Sequence, residues 1–210
     1  MEASNESHAE PMSKVDDAKV REYLSKRDLR RSGEPSGGRR NTGGKPAFVI
    51  QKHDASSLYY DLRLEVDGVL RSWAVPKGPS TNPDDKRLAM AVEDHPLDYA
   101  DFEGVIPEGS YGAGPVLVWD RGTYSNSTER DGEPISISEG IQNGHITFEL
   151  HGKKLTGGFA LTRFGKKSAK QDKWLLVKVD DESADRRRNP VSSQAASVIS
   201  GRTIDEIAEE

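Results

Sequence analysis

Cysteine is absent from the 210-residue sequence, which rules out a disulfide scaffold, a zinc–thiolate centre and a cysteine nucleophile. Long apolar runs are missing too. Stretches such as FVI at 48–50 and VLVW at 116–119 are far too short for a membrane-spanning helix, so no membrane role is expected. The opening MEASNESHAEPMS lacks the basic-then-apolar order of a secretory signal, and the cytoplasm is the expected compartment. There is no surplus of positive charge: the net charge is −5, which argues against a protein that coats nucleic acid non-specifically. Hydrophobic residues make up only 33% against 31% charged, so part of the chain is expected to lie outside the core.

What is present is unevenly placed. Acids gather at the ends, in Glu2, Glu6, Glu10, Asp16 and Asp17, and again in Asp205, Glu206, Glu209 and Glu210. Basic clusters sit inboard: Lys26, Arg27, Arg30 and Arg31, then Arg39 and Arg40, then Arg163, Lys166, Lys167, Lys170 and Lys173. A local polyanion site therefore stays open beside the plain reading of solvated surface charge. Residues 1–16 read as a disordered acidic tail. DDAKVREYLSKRDLRR predicts a helix with Val20, Tyr23 and Leu24 on one side, followed by the loop RSGEPSGGRRNTGGKP.

From Phe48 the pattern changes to short β segments at 48–52, 59–66, 69–75, 87–93, 115–119, 145–150, 158–163 and 174–179. Many short strands at close spacing predict a mostly β fold, a barrel or sandwich, over a domain spanning 17–180. Residues 181–210 read as a polar tail closed by a short helix docked through Ile204 and Ile207. Trp73, Trp119 and Trp174 each fall in a β segment and are expected in the core. GSYGAGP at 109–115 lacks the lysine and Ser/Thr of a P-loop and reads as a turn into the following strand.

The stretch QKHDASSLYYDLRLEVDG, residues 51–68, carries the chemistry. Its even positions Tyr60, Leu62, Leu64 and Val66 make a core face. Its odd positions Tyr59, Asp61, Arg63 and Glu65 make a polar one. His53 stands just upstream. RLAMAVEDHPLDY places Arg87, Glu93 and His95 on one parity if that strand runs straight. A histidine with an aspartate is a donor set for Mn²⁺ or Zn²⁺, and Arg63, Lys77 and Arg87 suit a phosphate. Metal, cationic clamps and a further histidine would serve phosphoester hydrolysis, with His95 protonating a leaving oxygen. The alternative, an ordinary strand with its polar face in water, stays open at this level.

FVIQKHDASSLYYDLRLEVDGVLRSWAVPKGPS, followed by KRLAMAVEDHPLDYADFEGVIPEGSYGAGPVLVWDRGTY, resembles the 3′-phosphoesterase domain of bacterial DNA ligase D, which also occurs as a stand-alone protein. KRDLRRSGEP, GKKLTGGFALTRF and KWLLVKVDD extend the likeness over roughly 20–180. The resemblance implies a compact closed β-barrel of about eight strands with a polar central cavity. It also implies Mn²⁺-dependent (or other divalent-dependent) phosphodiesterase and phosphomonoesterase activity that removes a 3′-terminal ribonucleoside and then a 3′-phosphate. Carried over by motif, His53 and Asp61 are metal ligands, Arg63 binds phosphate, and His95 and Tyr99 belong to the active site. Lys77, Arg87 and Glu93 match supporting positions, as do Arg27, Asp28 and Glu34. The family reads LHYD where this chain reads LYYD, so Tyr59 stands at a metal-ligand position. A phenol is a poor donor at neutral pH. The alternative implied is a weakened or inactive module that binds DNA 3′ ends. Expected partners are primer–template 3′ ends, with a Ku-like protein, polymerase or ligase, and the expected state is a monomer.

Overall fold

The computed structural model describes residues 18–37, 44–165 and 171–209. The acidic segment 1–16, Arg39, Arg40, Lys166, Lys167 and Lys170 lie outside the described residues.

Two short helices, α1 (Arg21–Ser25) and α2 (Leu29–Ser32), precede β1 (Ala47–Asp54), β2 (Leu58–Val66), β3 (Val69–Val75) and β4 (Arg87–His95). A 3₁₀ turn (Leu97–Asp101), β5 (Gly104–Ile106) and the long β6 (Gly114–Asn126) follow. A small ribbon, β7 (Glu129–Arg130) and β8 (Glu133–Pro134), leads to α3 (Ile137–Asn143). Then come β9 (His145–Gly152), β10 (Thr156–Phe164), β11 (Lys173–Lys178), α4 (Pro190–Ser193) and α5 (Ile204–Ala208). The order β1-β2-β3-β4-β11-β10-β9-β6, with β6 pairing back to β1, closes an antiparallel barrel, and β5 is an appendage on β6. Each of the eight predicted β segments is one of its staves.

The β2–β3 hairpin shows how local chemistry sets register. Val66 pairs with Val69, and the two loop residues Asp67 (φ 51°) and Gly68 (φ 83°) both take left-handed backbone. That geometry matches the twist of the flanking strands and favours Asp-Gly. It fixes Leu62 opposite Trp73 and Arg63 opposite Ser72.

Side chains of one parity fill the barrel: Phe48, Ile50, Leu62, Leu64, Trp73, Leu117, Trp119, Phe148, Phe159, Leu161, Trp174 and Leu176 are buried in one cluster. Ile137 and Ile141 of α3 and Ile204 and Ile207 of α5 join it. The interior is thus apolar, not the polar central cavity that the resemblance implied. Polar groups occupy the opposite parity, on the outer wall, where a second cluster of Val20, Tyr23, Val49, Leu70, Leu97, Tyr99 and Val118 seats the N-terminal helices and the 3₁₀ turn.

Two local departures from regularity aim the site. Leu70 pairs with His95 and Ser72 with Val92, so β4 carries one extra residue here, a β-bulge. Before the bulge, odd positions of β4 face inward, as Ala89 does. After it, Glu93 and His95 face outward. Arg87, paired across from the core residue Leu176, therefore does not share their face. Likewise the helix expected over 20–31 breaks at Arg27 and Asp28, and Asp28 takes extended backbone (ψ 90°). The break turns Arg27 onto the wall.

Residues after β11, expected as a polar tail, pack on the barrel as a strap. Trp119 Nε1 donates to the Gln194 carbonyl (2.7 Å), Lys154 Nζ to those of Gln194 (2.8 Å) and Ala196, and Val198 N to Val118 O (3.0 Å). α5 starts with a capping box between Thr203 and Glu206. Among the described residues no helix is long and apolar enough to cross a membrane.

Candidate active site

The outer faces of β1 to β4 present Gln51, His53, Asp61, Arg63, Ser72, Glu93 and His95 as one surface. Three other elements wall it in. The α1–α2 junction supplies Arg27, the 3₁₀ turn supplies Tyr99, and the glycine-rich turn supplies Tyr111 and Gly112. Together they bound a cavity of about 210 Å³ lined also by Tyr59, Pro76, Val92 and Ile106.

Arg63 is the hub, and it is almost fully buried. Its Nε donates to Gln51 Oε1 (2.8 Å), Nη1 to Ser72 Oγ (2.9 Å) and Nη2 to Asp61 Oδ2 (2.9 Å). Gln51 is itself fixed, its amide donating to the carbonyls of Tyr99 (3.0 Å) and Phe102 (3.1 Å). The Tyr99 ring lies under the Arg63 guanidinium at 5.0 Å. Arg27 forms the opposite wall: Nε to Glu34 Oε1 (2.9 Å), Nη1 to Glu93 Oε1 (2.9 Å) and to the Tyr23 carbonyl (3.3 Å). Tyr99 Oη donates to the same Glu34 oxygen (3.0 Å), and Lys26 reaches Glu93 Oε2 at 3.2 Å. The cations Lys26, Arg27 and Arg63 are thus balanced by Glu34, Asp61 and Glu93. Burial alone would raise Glu93, but a backbone hydrogen bond and Arg27 outweigh it and hold the carboxyl below its ordinary value.

His95 sits between the two guanidiniums. Nδ1 donates to the Glu93 carbonyl (2.9 Å), Nε2 accepts from Arg27 Nη2 (3.2 Å), and Arg63 Nη1 lies 3.0 Å from Nδ1. Complete burial, then the charges of Arg63 and Arg27, push its pKa well below the ordinary value, so the imidazole is neutral. Its one ring proton is held on Nδ1 by the Glu93 carbonyl.

His53 is engaged at both nitrogens. Nε2 donates to the Gly112 carbonyl (2.8 Å), which fixes the tautomer and leaves Nδ1 to accept from Tyr59 Oη (2.8 Å). Burial, then Asp61, pushes the Tyr59 phenol upward, so it keeps its proton. Asp61 is already paired with Arg63. Among the described residues no group of three or more His, Cys, Asp and Glu side chains could hold a metal ion. As arranged, then, these residues do not fit the divalent ion that the resemblance implied. The lone pair such an ion would take on His53 is occupied by the phenol, at the position where the resemblance implied a histidine.

His53, Tyr59, Asp61, Arg63, Glu93, His95, Tyr99, Arg27 and Glu34 are therefore brought together. Lys77 is exposed, just past the lining residue Pro76, and Asp28 is exposed before α2. Arg87 pairs with Asp85 at 2.9 Å, off the site. Sequence reasoning missed Gln51 and Ser72. Gln51 shares parity with His53, a signal that was readable. Ser72 needed the hairpin register. Lys26 falls in a basic cluster, Tyr23 on a helix face and Tyr111 and Gly112 in a glycine-rich turn, but nothing local to those segments brings them to this wall.

Two guanidiniums and a neutral imidazole thus meet at one cavity on the outer wall of a β-barrel. A family model described as the DNA ligase D 3′-phosphoesterase domain matches residues 51–163. The chain is 50% identical over 188 residues to the multifunctional non-homologous end joining protein LigD of Pseudomonas aeruginosa, covering 87% of this chain and 21% of that protein. It is 42% identical over 161 residues to the LigD of Mycobacterium tuberculosis, covering 76% and 20%, and 41% identical over 165 residues to that of Mycolicibacterium smegmatis, covering 78% and 21%. The chain belongs to the DNA ligase D 3′-phosphoesterase domain family. It spans about a fifth of the length of these relatives.

Proposed function

We propose that the chain is a DNA 3′-end-processing phosphoesterase of end joining, a hydrolase that acts on 3′-terminal ribonucleosides and 3′-phosphates. The observation that carries this reading is the convergence of Arg27 and Arg63 on neutral His95 inside a cavity of about 210 Å³, roomy enough for a phosphoryl group. A phosphoryl group entering there takes N–H donors from both guanidiniums. Drawing Arg27 onto a phosphoryl oxygen uncovers the lone pair on His95 Nε2, which accepts a proton from the attacking water as its oxygen bonds to phosphorus; the P–O bond to the leaving oxygen breaks, and that oxygen takes a proton from solvent. In this reading His95 acts as a base, where the sequence alone suggested an acid. Gln51, Ser72, Asp61 and Tyr99 hold Arg63 in place throughout.

Mn²⁺ dependence is the finer part of the proposal, and the residues oppose it: the ion would have to displace Tyr59 from His53 and compete with Arg63 for Asp61. No step here passes through it. The Tyr59–His53 hydrogen bond favours a second reading, a module that grips DNA 3′ ends without turning them over. DNA 3′ ends are the partner this site chemistry supports. A Ku-like protein, polymerase or ligase as partner rests on the resemblance.

The test is a labelled primer–template ending in a 3′-ribonucleotide or a 3′-phosphate, with and without Mn²⁺. Trimming by the native protein that His95→Ala abolishes supports the enzyme. Trimming by Tyr59→His only, with native binding intact, supports the end-binding module. No binding and no trimming by either removes both readings.

A further inference from the structure

We propose that Tyr111 and the turn that carries it form a stacking subsite for the nucleobase of a strand's 3′-terminal nucleotide. This deepens the DNA-end reading above and rests on it.

Tyr111 is 48% exposed, and of the large apolar side chains exposed among the described residues it is the one that lines the cavity. A single exposed aromatic is ordinary in itself. This one is held at a defined place. Its turn is built from Ser110 N to Pro107 O (3.1 Å) and Ala113 N to Ser110 O (3.2 Å), with Gly109, Gly112 and Gly114 all at positive φ. Gly114 takes φ +137°, and a Cβ there would meet the Asp54 carbonyl oxygen at 2.1 Å, so the turn is clasped against the end of β1. Two more ties fasten it: His53 Nε2 to Gly112 O, and Arg31 Nη2 to Glu108 O (2.8 Å). The ring is therefore pinned at the mouth from both the barrel and α2.

Its surroundings match a nucleotide. Arg27, which closes the phosphate cavity, and Lys26, at the rim, each lie 5.1 Å from the ring centroid. A phosphate on Arg27 thus has a π surface beside it, and the partly exposed Lys26, paired with Glu22 (2.7 Å) and Glu93 (3.2 Å), stands at the rim. The exposed lining groups Ser57 and Pro76 offer few hydrogen bonds to read a base edge. Stacking with little edge reading accepts any base, as end processing requires.

The experiment places 2-aminopurine as the 3′-terminal base of a primer–template ending in a 3′-phosphate. It is compared with the same duplex whose terminal nucleotide is abasic. The native protein is expected to quench the fluorophore. Tyr111→Ala is expected to lose the quench and bind the base-bearing end about tenfold more weakly. Tyr111→Trp is expected to restore both. On the abasic end, native and Tyr111→Ala are expected to bind alike, which separates a lost stack from a disturbed turn. Equal binding and quench by native and Tyr111→Ala on the base-bearing end overturns the subsite and leaves the end-binding reading standing. Equal weakening of both ends also overturns it. No binding of either duplex by the native protein overturns the end-binding reading and the subsite with it.

Discussion

Replacing Arg27 by Met roughly keeps the volume of the side chain and removes its charge from two buried ion pairs of the site. Arg27 and Glu34 have side chains 6% and 0% exposed, and Glu93 is 4% exposed. Little solvent reaches them to screen a lone charge. Glu34 keeps Tyr99 as donor and Glu93 keeps Lys26, but each loses its guanidinium. Breaking a buried pair from one side costs about 3–5 kcal/mol. For a chain of this size that corresponds to a fall in Tm of about 6–20 °C. Glu34→Gln removes the carboxylate charge that Arg27→Met strands, so the double variant is expected to be less destabilised than the two singles summed, by about 1–3 kcal/mol. Urea unfolding followed by tryptophan fluorescence reads this, since Trp73, Trp119 and Trp174 all sit in the barrel core. Hydrogen exchange over 18–37 shows whether the N-terminal helices loosen first. A loss below about 1 kcal/mol for Arg27→Met, or singles that simply add, would refute the view that this network clamps the helices to the wall.

Four further outcomes are expected. Because the folded pKa of His95 is lowered, the unfolded chain takes up a proton first as pH falls below the ordinary 6.5, and stability is lost on acidification. His95→Gln should lose less over that window in pH-dependent melts, and parallel losses would count against a neutral His95. Lys154, lowered by burial from 10.5 to about 8, gives native stability that rises between those two pH values relative to Lys154→Met. The neutral amine still has N–H groups for the carbonyls of Gln194 and Ala196, so the strap should stay docked, as hydrogen exchange over 190–200 would report. Mn²⁺ titration followed by electron paramagnetic resonance should show specific binding to Tyr59→His and none to the native chain, and equal binding by both would contradict the phenol's hold on His53. Gly114→Ala forces a Cβ onto the Asp54 carbonyl, so a large loss of stability is expected in a thermal melt, with an unchanged Tm as the contrary result.

The barrel was legible because period-two alternation and turn residues are local signals: the eight staves and the core face of β2 follow from them directly. The location of the site did not follow. Alternation puts Asp61 and Arg63 opposite the core face of β2 but does not say which strands and loops meet that outer face, which the strand order, the bulge in β4 and the break before α2 decide. The strap was missed because it docks largely through backbone carbonyls that accept from Trp119 and Lys154, which hydropathy does not register, although the Ile204 and Ile207 contact was readable. The break in the N-terminal helix was missed for a related reason. DDAKVREYLSKRDLRR has helical composition throughout, and a tertiary demand, the seat for Arg27, overrides it.

The bulge in β4 has a consequence for tolerance to insertion and deletion. One residue there reverses the phase of everything after it, so losing a single codon between Val92 and His95 would do two kinds of damage at once. It would turn the histidine away from the two guanidiniums, and it would drive Glu93 or His95 toward the tryptophans inside the barrel. The same loss in the exposed turn at 131–132 would shorten a ribbon that the barrel does not use. Loss of a residue should thus be tolerated in the surface ribbon and not in the few residues leading to His95.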